Sequence, residues 1–175
     1  ALGLRTISLA DLPHRKRLPP PKERLELKNF QYAYPNHTEH ALHIPHVTLP
    51  LGGVIAVVGH NGAGKSTLSK CLCGLAKRFK GICVCGGVSQ PRRQMLKKSY
   101  RVMQDVNHQL FCESVEEELR LGMDVAYEAE LEDIMEALEL TDLRTRHPLS
   151  LSGGQKQRVA VASALLAGKE RLVFD

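Results

Sequence analysis

A glycine-rich loop carries the clearest chemistry in the sequence. Residues 59–67 read Gly-His-Asn-Gly-Ala-Gly-Lys-Ser-Thr. Glycines in such a loop let successive backbone N–H groups point at phosphate oxygens, where a Cβ atom would block the turn or the ligand. Lys65 then supplies a point charge for the outer phosphates, Ser66 a hydroxyl for Mg²⁺, and Thr67 support beside the α-phosphate. The predicted nucleotide contacts of the loop are Gly59, Asn61, Gly62, Ala63, Gly64, Lys65, Ser66 and Thr67.

A second motif at residues 151–155, Leu-Ser-Gly-Gly-Gln, also has the chemistry of an anion site. Ser152, Gly153 and Gly154 open a predicted helix whose bare N–H groups and positive dipole end can hold an anion. One γ-phosphate cannot occupy two helix N-termini of a single globular domain. The second motif therefore predicts contact with a nucleotide held by another domain, and the function requires a dimer.

The elements around the two motifs are arranged to position them. Residues 54–58, Val-Ile-Ala-Val-Val, form the apolar β-branched run typical of a strand buried on both faces. The glycine loop leaves the end of this strand, and residues 65–76 predict the helix that follows. A second helix is predicted at residues 155–167, with Gly168 as its C-terminal stop.

The remaining segments indicate an α/β fold with a mixed sheet. Residues 24–30 alternate apolar and polar side chains and, with pieces of 41–49, predict an antiparallel β subdomain. Apolar positions at helical spacing in residues 127–143 predict a helix within a helical subdomain at about 105–150. The predicted strands are residues 24–30, pieces of 41–49, 54–58, 101–104 and 171–175.

The chain is expected to be one domain, residues 24–175, preceded by a proline-rich basic linker at residues 1–23. It begins without an initiator Met and stops after an apolar strand, so we expect it to be a piece of a longer chain. The basic cluster at residues 14–17 is interpreted as solvated linker, with contact to anionic lipid or nucleic acid as the alternative.

Composition excludes several classes of protein. The net charge is +5, with 43% hydrophobic and 25% charged residues, as in an average soluble protein. No run approaches the roughly 18 apolar residues needed to span a bilayer. An odd count of five cysteines indicates a reducing compartment rather than a disulfide framework. Cys71 and Cys73 are two positions apart on a predicted helix, so their side chains would point away from each other. Prolines break any helix that could align the histidines at residues 37–46. Neither set therefore predicts a metal site.

Residues 25–175 resemble the nucleotide-binding domain of an ABC transporter, a P-loop NTPase fold of the ABC ATPase type. The glycine loop and residues 151–155 are the most specific parts of the match. The resemblance implies that residues 151–155 form the signature motif, which binds the γ-phosphate of ATP held by the opposite domain. The implied contacts of this motif are Leu151, Ser152, Gly153, Gly154 and Gln155.

The resemblance also implies roles for residues outside the two motifs. Gln104, in Val-Met-Gln-Asp-Val, matches the loop glutamine that contacts Mg²⁺ or the attacking water and senses the membrane partner. Tyr34 matches the aromatic residue that stacks on adenine, with Tyr32 as the less favoured choice and core packing as the alternative. Asp175, at the end of an apolar strand, is interpreted as a partner of Mg²⁺ because the glycine loop is present. The implied catalytic residues are Lys65 and Gln104, and the implied Mg²⁺ residues are Ser66, Gln104 and Asp175.

The catalytic Glu of the family is expected directly after Asp175, beyond the printed chain, so no residue here can be assigned as the general base. We therefore expect the 175-residue chain on its own to be marginally folded and to hydrolyse little ATP. In the full-length protein the resemblance implies a Mg²⁺-dependent ATPase that powers a membrane transporter from the cytoplasmic face. The implied partners are a second ABC ATPase domain, in tandem or on a separate chain, and a transmembrane subunit, with no nucleic acid.

A finer resemblance concerns the subfamily. Residues 102–111 and 113–115 are similar to the ATPases of energy-coupling-factor importers, which take up vitamins, metal ions or other small solutes. Residues 2–6 resemble the tail of a preceding ATPase domain, as in tandem members of that subfamily.

Two other functions stay open. One is a soluble ABC ATPase acting on nucleic acid or the ribosome, although one compact segment, rather than a long coiled coil, separates Thr67 from Leu151. The other is a degenerate partner domain that holds ATP without cleaving it, although every visible motif is intact.

Overall fold

The computed structural model describes residues 24–35 and 41–175. The expected linker at residues 1–23 and the histidines at 37 and 40 lie outside these ranges. Within them, no helix combines the length and the apolar composition needed to cross a membrane.

The first sheet is antiparallel and contains four strands. Strand β1 (Arg24–Tyr32) lies between β2 (Leu42–Pro50) and β3 (Lys80–Cys85), and β4 (Val88–Ser89) pairs with the free side of β3. The strand order is β2-β1-β3-β4. The alternating sequence of β1 thus predicted a real strand.

The glycine-loop helix, α1 (Lys65–Leu72), shares a core with this sheet. Leu25, Leu27 and Phe30 of β1 are buried in that core, and each such side chain contributes about 1.5–3 kcal/mol on burial. The helix is shorter than the predicted 65–76 because Gly74 takes a φ of 69°, a left-handed conformation that ends an α-helix.

The second sheet is a parallel pair, β5 (Ser99–Val102) and β6 (Arg171–Phe174), with Ser99 opposite Arg171. The helix α2 (Arg92–Lys98) leads directly into β5. The α/β class is confirmed, but the described parallel and antiparallel strands lie in two separate sheets instead of one mixed sheet.

Three α-helices lie between β5 and β6 along the chain. They are α3 (Val115–Arg120), α4 (Leu131–Ala137) and α5 (Gly153–Leu166). Leu119 and Val159 are fully buried in their common core. Helix α5 also packs on the parallel pair through Ala160 and Ala164, which lie against Val102.

The single helix predicted at residues 127–143 is divided in the structure. Its apolar spacing holds in α4, where Leu131 and Met135 are buried. A 3-10 helix, Val125–Glu130, precedes α4, and Glu139 takes a φ of 54° after it. A non-glycine residue with positive φ cannot continue an α-helix, so the pattern of period 3.6 is interrupted there.

The predicted buried strand at residues 54–58 is wrong. These residues form no strand, and Val54 and Val58 are 103% and 89% exposed. Ile55 and Val57 line a cavity of about 680 Å³ whose other wall includes β6, and we call it the β6 cavity. An apolar run becomes a strand only when a neighbour accepts its backbone hydrogen bonds, and here a cavity lies between the run and β6.

Candidate nucleotide-binding site

The glycine loop enters α1 through backbone that glycine adopts most easily. Gly62 and Gly64 take φ values of 84° and 86°. A Cβ atom on Gly64 would lie 2.9 Å from the carbonyl oxygen of Ala41, whereas the space beside Gly62 is open. The turn therefore needs a glycine at both positions for its φ, and at Gly64 also for its packing.

Lys65 is folded into the loop that precedes it. Its Nζ donates hydrogen bonds to the carbonyl oxygens of Gly59 and His60, both at 2.8 Å. The amide of Ala63 also donates to the His60 carbonyl at 3.2 Å. The ammonium group is therefore held inside the curl of backbone predicted to hold phosphates, while Asn61 and Ser66 are exposed beside it.

Tyr34 lies beside the first turn of α1. Its hydroxyl is 3.0 Å from Oγ1 of Thr67, which is buried at 6% exposure. Tyr34 is 38% exposed as a residue, and its ring meets that of Tyr32 edge-on, with centroids 5.1 Å apart. Of these two tyrosines Tyr34 is the more exposed, and Tyr32 packs against the core of the first sheet.

Asp175 follows the C-terminal end of β6. Its backbone N–H donates to the carbonyl of Val102 at 3.1 Å, and its carboxylate accepts a hydrogen bond from the guanidinium of Arg101. Lys65 and Asp175 line the same β6 cavity. The structure thus brings two of the predicted site residues to one cavity, but Asp175 already has a cationic partner.

Gln104 lies two residues beyond β5, where it is exposed and outside the lining of the β6 cavity. Gln109 orders the loop around it, because its Oε1 accepts the N–H of Met103 at 2.9 Å and its Nε2 donates to the Tyr100 hydroxyl at 3.1 Å. Of the three residues predicted to hold Mg²⁺, Asp175 lines the β6 cavity, whereas Ser66 and Gln104 lie outside its lining. Their hydroxyl, amide and carboxylate oxygens are still the donors that a hard cation such as Mg²⁺ prefers.

The motif at residues 151–155 forms the N-terminus of α5. Leu151 is buried in the helical core, and Ser152 is the N-cap. The Ser152 hydroxyl accepts the Gln155 N–H at 3.4 Å, and Gln155 Oε1 accepts the Ser152 N–H at 2.9 Å. This reciprocal capping box fixes the start of the helix.

Gly153 and Gly154 are exposed, and a Cβ atom on either would meet no atom within 4 Å. Neither glycine is required by a positive φ. Within the described part of the chain nothing explains the absence of side chains at these two positions. Two bare amides at a helix N-terminus are suited to the close approach of an anion.

Sequence reasoning missed two features of the site. The capping role of Gln155 was not predicted, although a Ser followed three residues later by a Gln is the sequence signal for a capping box. The ion pair of Arg101, a residue of a predicted short strand, was not predicted either. Its partner Asp175 is 74 positions away, so no local signal could have found the pair.

The sequence model described as ABC transporter matches residues 42–175. The chain belongs to the ABC transporter family. The match includes the glycine loop and the residue 151–155 motif, so the resemblance found in the sequence is confirmed.

Curated relatives agree with this assignment. An ABC transporter ATP-binding protein of Treponema denticola is 48% identical over 124 residues, which cover 71% of this chain and 25% of the relative. An energy-coupling factor transporter ATP-binding protein, EcfA1, of Mycoplasma mobile is 34% identical over 160 residues, covering 86% of this chain and 58% of the relative. The chain thus spans about a quarter to three fifths of the length of these relatives.

Solved structures show the same fold. The cbiO1 protein of Clostridium perfringens, part of the ABC transporter complex cbiONQ, superimposes with a TM-score of 0.73 at 27% identity, covering 86% of this chain and 64% of cbiO1. A bacterial Atm1-family ABC exporter with ATP bound gives the same TM-score and identity over 98% of this chain and 32% of the exporter. The fold is that of an ABC ATPase domain.

Proposed function

We propose that this chain binds ATP with Mg²⁺ and, within the full-length protein, hydrolyses it to ADP and phosphate to power an ABC membrane transporter. The observation that carries the proposal is the pair of exposed glycines at the capped N-terminus of α5, in a chain that has a complete phosphate loop elsewhere. A helix N-terminus with open space around it is suited to a phosphate held by a second ATPase domain.

The residues of the chain would divide the work as follows. The amides of the glycine loop and the Lys65 ammonium would bind the phosphates and stabilise the negative charge that develops during attack by water. Tyr34 would stack on the adenine. Ser66, Gln104 and Asp175 would hold Mg²⁺, which when bound neutralises charge on the phosphate oxygens.

A second observation, independent of the sequence motif, supports binding of a phosphate chain by the glycine loop. The Lys65 ammonium is held by two backbone carbonyls, and a phosphate oxygen is a stronger acceptor for it than a neutral carbonyl. Because Lys65 is already inside the loop, little rearrangement of the backbone is needed to change partners.

The partners belong to the same proposal. We infer a second ABC ATPase domain, in tandem or on a separate chain, that faces residues 151–155. We also infer a transmembrane subunit near Gln104, because Phe111 in the following segment is 74% exposed. Glu118 holds that segment by accepting the N–H groups of Phe111 and Cys112 at 2.7 and 2.8 Å. This location makes the protein peripheral to the cytoplasmic face of the membrane.

The direction of transport and the class of solute are inferred from the relatives. EcfA1 is the ATP-binding protein of an energy-coupling factor transporter, and cbiO1 is part of the ABC transporter complex cbiONQ. The similarity to these proteins favours uptake of a vitamin, metal ion or other small solute. The Atm1-family neighbour is an exporter, so the overall fold does not separate import from export.

The proposal is tested first at nucleotide binding. In the full-length protein we expect Lys65→Ala to lower the affinity for a fluorescent ATP analogue at least tenfold. Lys70→Ala, an exposed lysine in the last turn of the same helix, is the matched control and should bind as the unaltered protein does. Equal affinities in the unaltered protein, Lys65→Ala and Lys70→Ala would contradict the proposal that this loop binds the nucleotide.

A further inference from the structure

Arg101 joins the end of β6 to the helix of the phosphate loop. Its Nη2 donates to the Asp175 carboxylate, and its Nε donates to the Ser69 hydroxyl at 3.0 Å. The Ser69 hydroxyl in turn donates to the carbonyl of Ser66 at 2.9 Å. A continuous set of hydrogen bonds therefore runs from the Asp175 carboxylate to the backbone carbonyl of Ser66, the residue whose hydroxyl is predicted to serve Mg²⁺ together with Asp175.

The Arg101–Asp175 pair, near the C-terminal ends of β5 and β6, differs from an ion pair at the N-terminal ends of the same two strands. Lys98 and Glu170, just before β5 and β6, pair at 2.9 Å with side chains that are 36% and 63% exposed. Arg101 and Asp175 are each 9% exposed. An exposed pair is worth little, and a buried pair is weak evidence of a stabilising role, because desolvation offsets much of the attraction.

We propose that Arg101 is a positioning residue of the nucleotide site that neutralises Asp175 and keeps the affinity of the nucleotide-free site for Mg²⁺ low. This inference rests on the proposed function. A guanidinium in contact with a carboxylate cancels the negative charge that would attract a second cation. The phosphates of ATP bring new negative charge, so the metal binds with the nucleotide and not before it.

The hydrogen bond to Ser69 connects Arg101 to the phosphate-loop helix. Because Nε donates to Ser69 of α1, a displacement of the whole Arg101 side chain would break a contact to the phosphate-loop helix as well as the pair with Asp175. The state of the loop and the charge at Asp175 are therefore connected through one side chain.

The test uses the full-length protein without nucleotide and Mn²⁺ as the probe, because Mn²⁺ accepts the same oxygen ligands and the free ion is counted by electron paramagnetic resonance. Arg101→Gln removes the charge but keeps hydrogen-bond donors. We expect it to raise the affinity for Mn²⁺ at least tenfold, a factor in the range of one nearby charge. Arg101→Lys, which keeps the charge, should bind Mn²⁺ within threefold of the unaltered protein.

Two further variants make the result specific. Lys98→Gln removes the exposed pair and should leave Mn²⁺ affinity unchanged. In the Asp175→Asn background, Arg101→Gln should no longer raise the affinity. If Arg101→Gln does not fold, as judged by its thermal transition, Arg101→Met of similar volume takes its place with the same expectation.

Unchanged or weaker Mn²⁺ binding by folded Arg101→Gln or Arg101→Met would overturn the inference, and so would an equal rise in Arg101→Lys or Lys98→Gln. Failure of the proposed function is seen separately, as equal binding of the ATP analogue by the unaltered protein and Lys65→Ala.

Discussion

The hydroxyl of Tyr34 lies 3.0 Å from Oγ1 of Thr67, 33 positions later in the chain, so the segment that follows β1 and the phosphate-loop helix meet at a hydrogen bond. Thr67 is buried, while the Tyr34 ring keeps an exposed face. The bond orients the ring beside the loop that is proposed to hold the phosphates. We propose this exposed ring as the stacking position for adenine.

Replacing Tyr34 separates stacking from the hydrogen bond. We expect Tyr34→Ala to lower the affinity for ATP about tenfold, because stacking of a base on an aromatic ring contributes about 1–3 kcal/mol. Tyr34→Phe keeps the ring and should lose less than threefold. Isothermal titration with ATP measures both, and unchanged affinity in Tyr34→Ala would mean that the ring only packs.

Alanine at two glycines of the loop should have unequal effects. Gly62→Ala is expected to cost about 1–2 kcal/mol, because it forces a left-handed conformation on a residue with a Cβ atom. Gly64→Ala adds a contact at 2.9 Å to the Ala41 carbonyl and should cost more. Urea unfolding gives both free energies, and equal losses would contradict the packing described at Gly64.

The local parts of this site could be predicted from the sequence. A glycine loop followed by Lys-Ser-Thr fixes a helix start through short-range backbone geometry, and α1 begins at Lys65 as predicted. The helix predicted at residues 155–167 is present as α5, but it begins two residues earlier, at Gly153, because Ser152 caps it; the left-handed Gly168 follows its end as predicted.

The parts that depend on distant neighbours could not be predicted. The apolar run at residues 54–58 has the composition of a strand, but composition does not say whether a partner strand is in reach. The Arg101–Asp175 pair likewise depends on the parallel register of β5 and β6, which brings Arg101 opposite Val173. Neither feature can be recognised from a short stretch of sequence.

Gly154 offers a case in which stability and function should change in opposite directions. A Cβ atom there meets no atom within 4 Å, so Gly154→Ala should raise the free energy of unfolding by about 0.5–1 kcal/mol through lower backbone entropy of the unfolded chain. It should also weaken ATP-dependent association of the ATPase domains, because the methyl group occupies the approach to the bare amides. Leu165→Ala at the other end of α5 is the control for association, which analytical ultracentrifugation measures with and without ATP.

Two buried cysteines should be inert until the chain unfolds. Burial raises the pKa of Cys71 and of Cys73 to about 11. At pH 8 only about one thiol in a thousand is then ionised, and the thiolate is the reactive form. Alkylation by iodoacetamide, followed by peptide mass spectrometry, should leave both unmodified in the native protein, become faster as the pH rises towards 11, and reach both in urea. Rapid labelling of either in the native protein at pH 8 would contradict the burial.

The central claim is that the N-terminus of α5 binds a nucleotide held by another ATPase domain. Hydrogen exchange at the amides of Gly153, Gly154 and Gln155 in the full-length protein tests it most directly, with a non-hydrolysable ATP analogue, with ADP, and with the analogue added to Lys65→Ala. The account predicts strong protection with the analogue alone and little with ADP or in the variant. Amides that exchange at the same rate in all three samples would contradict it.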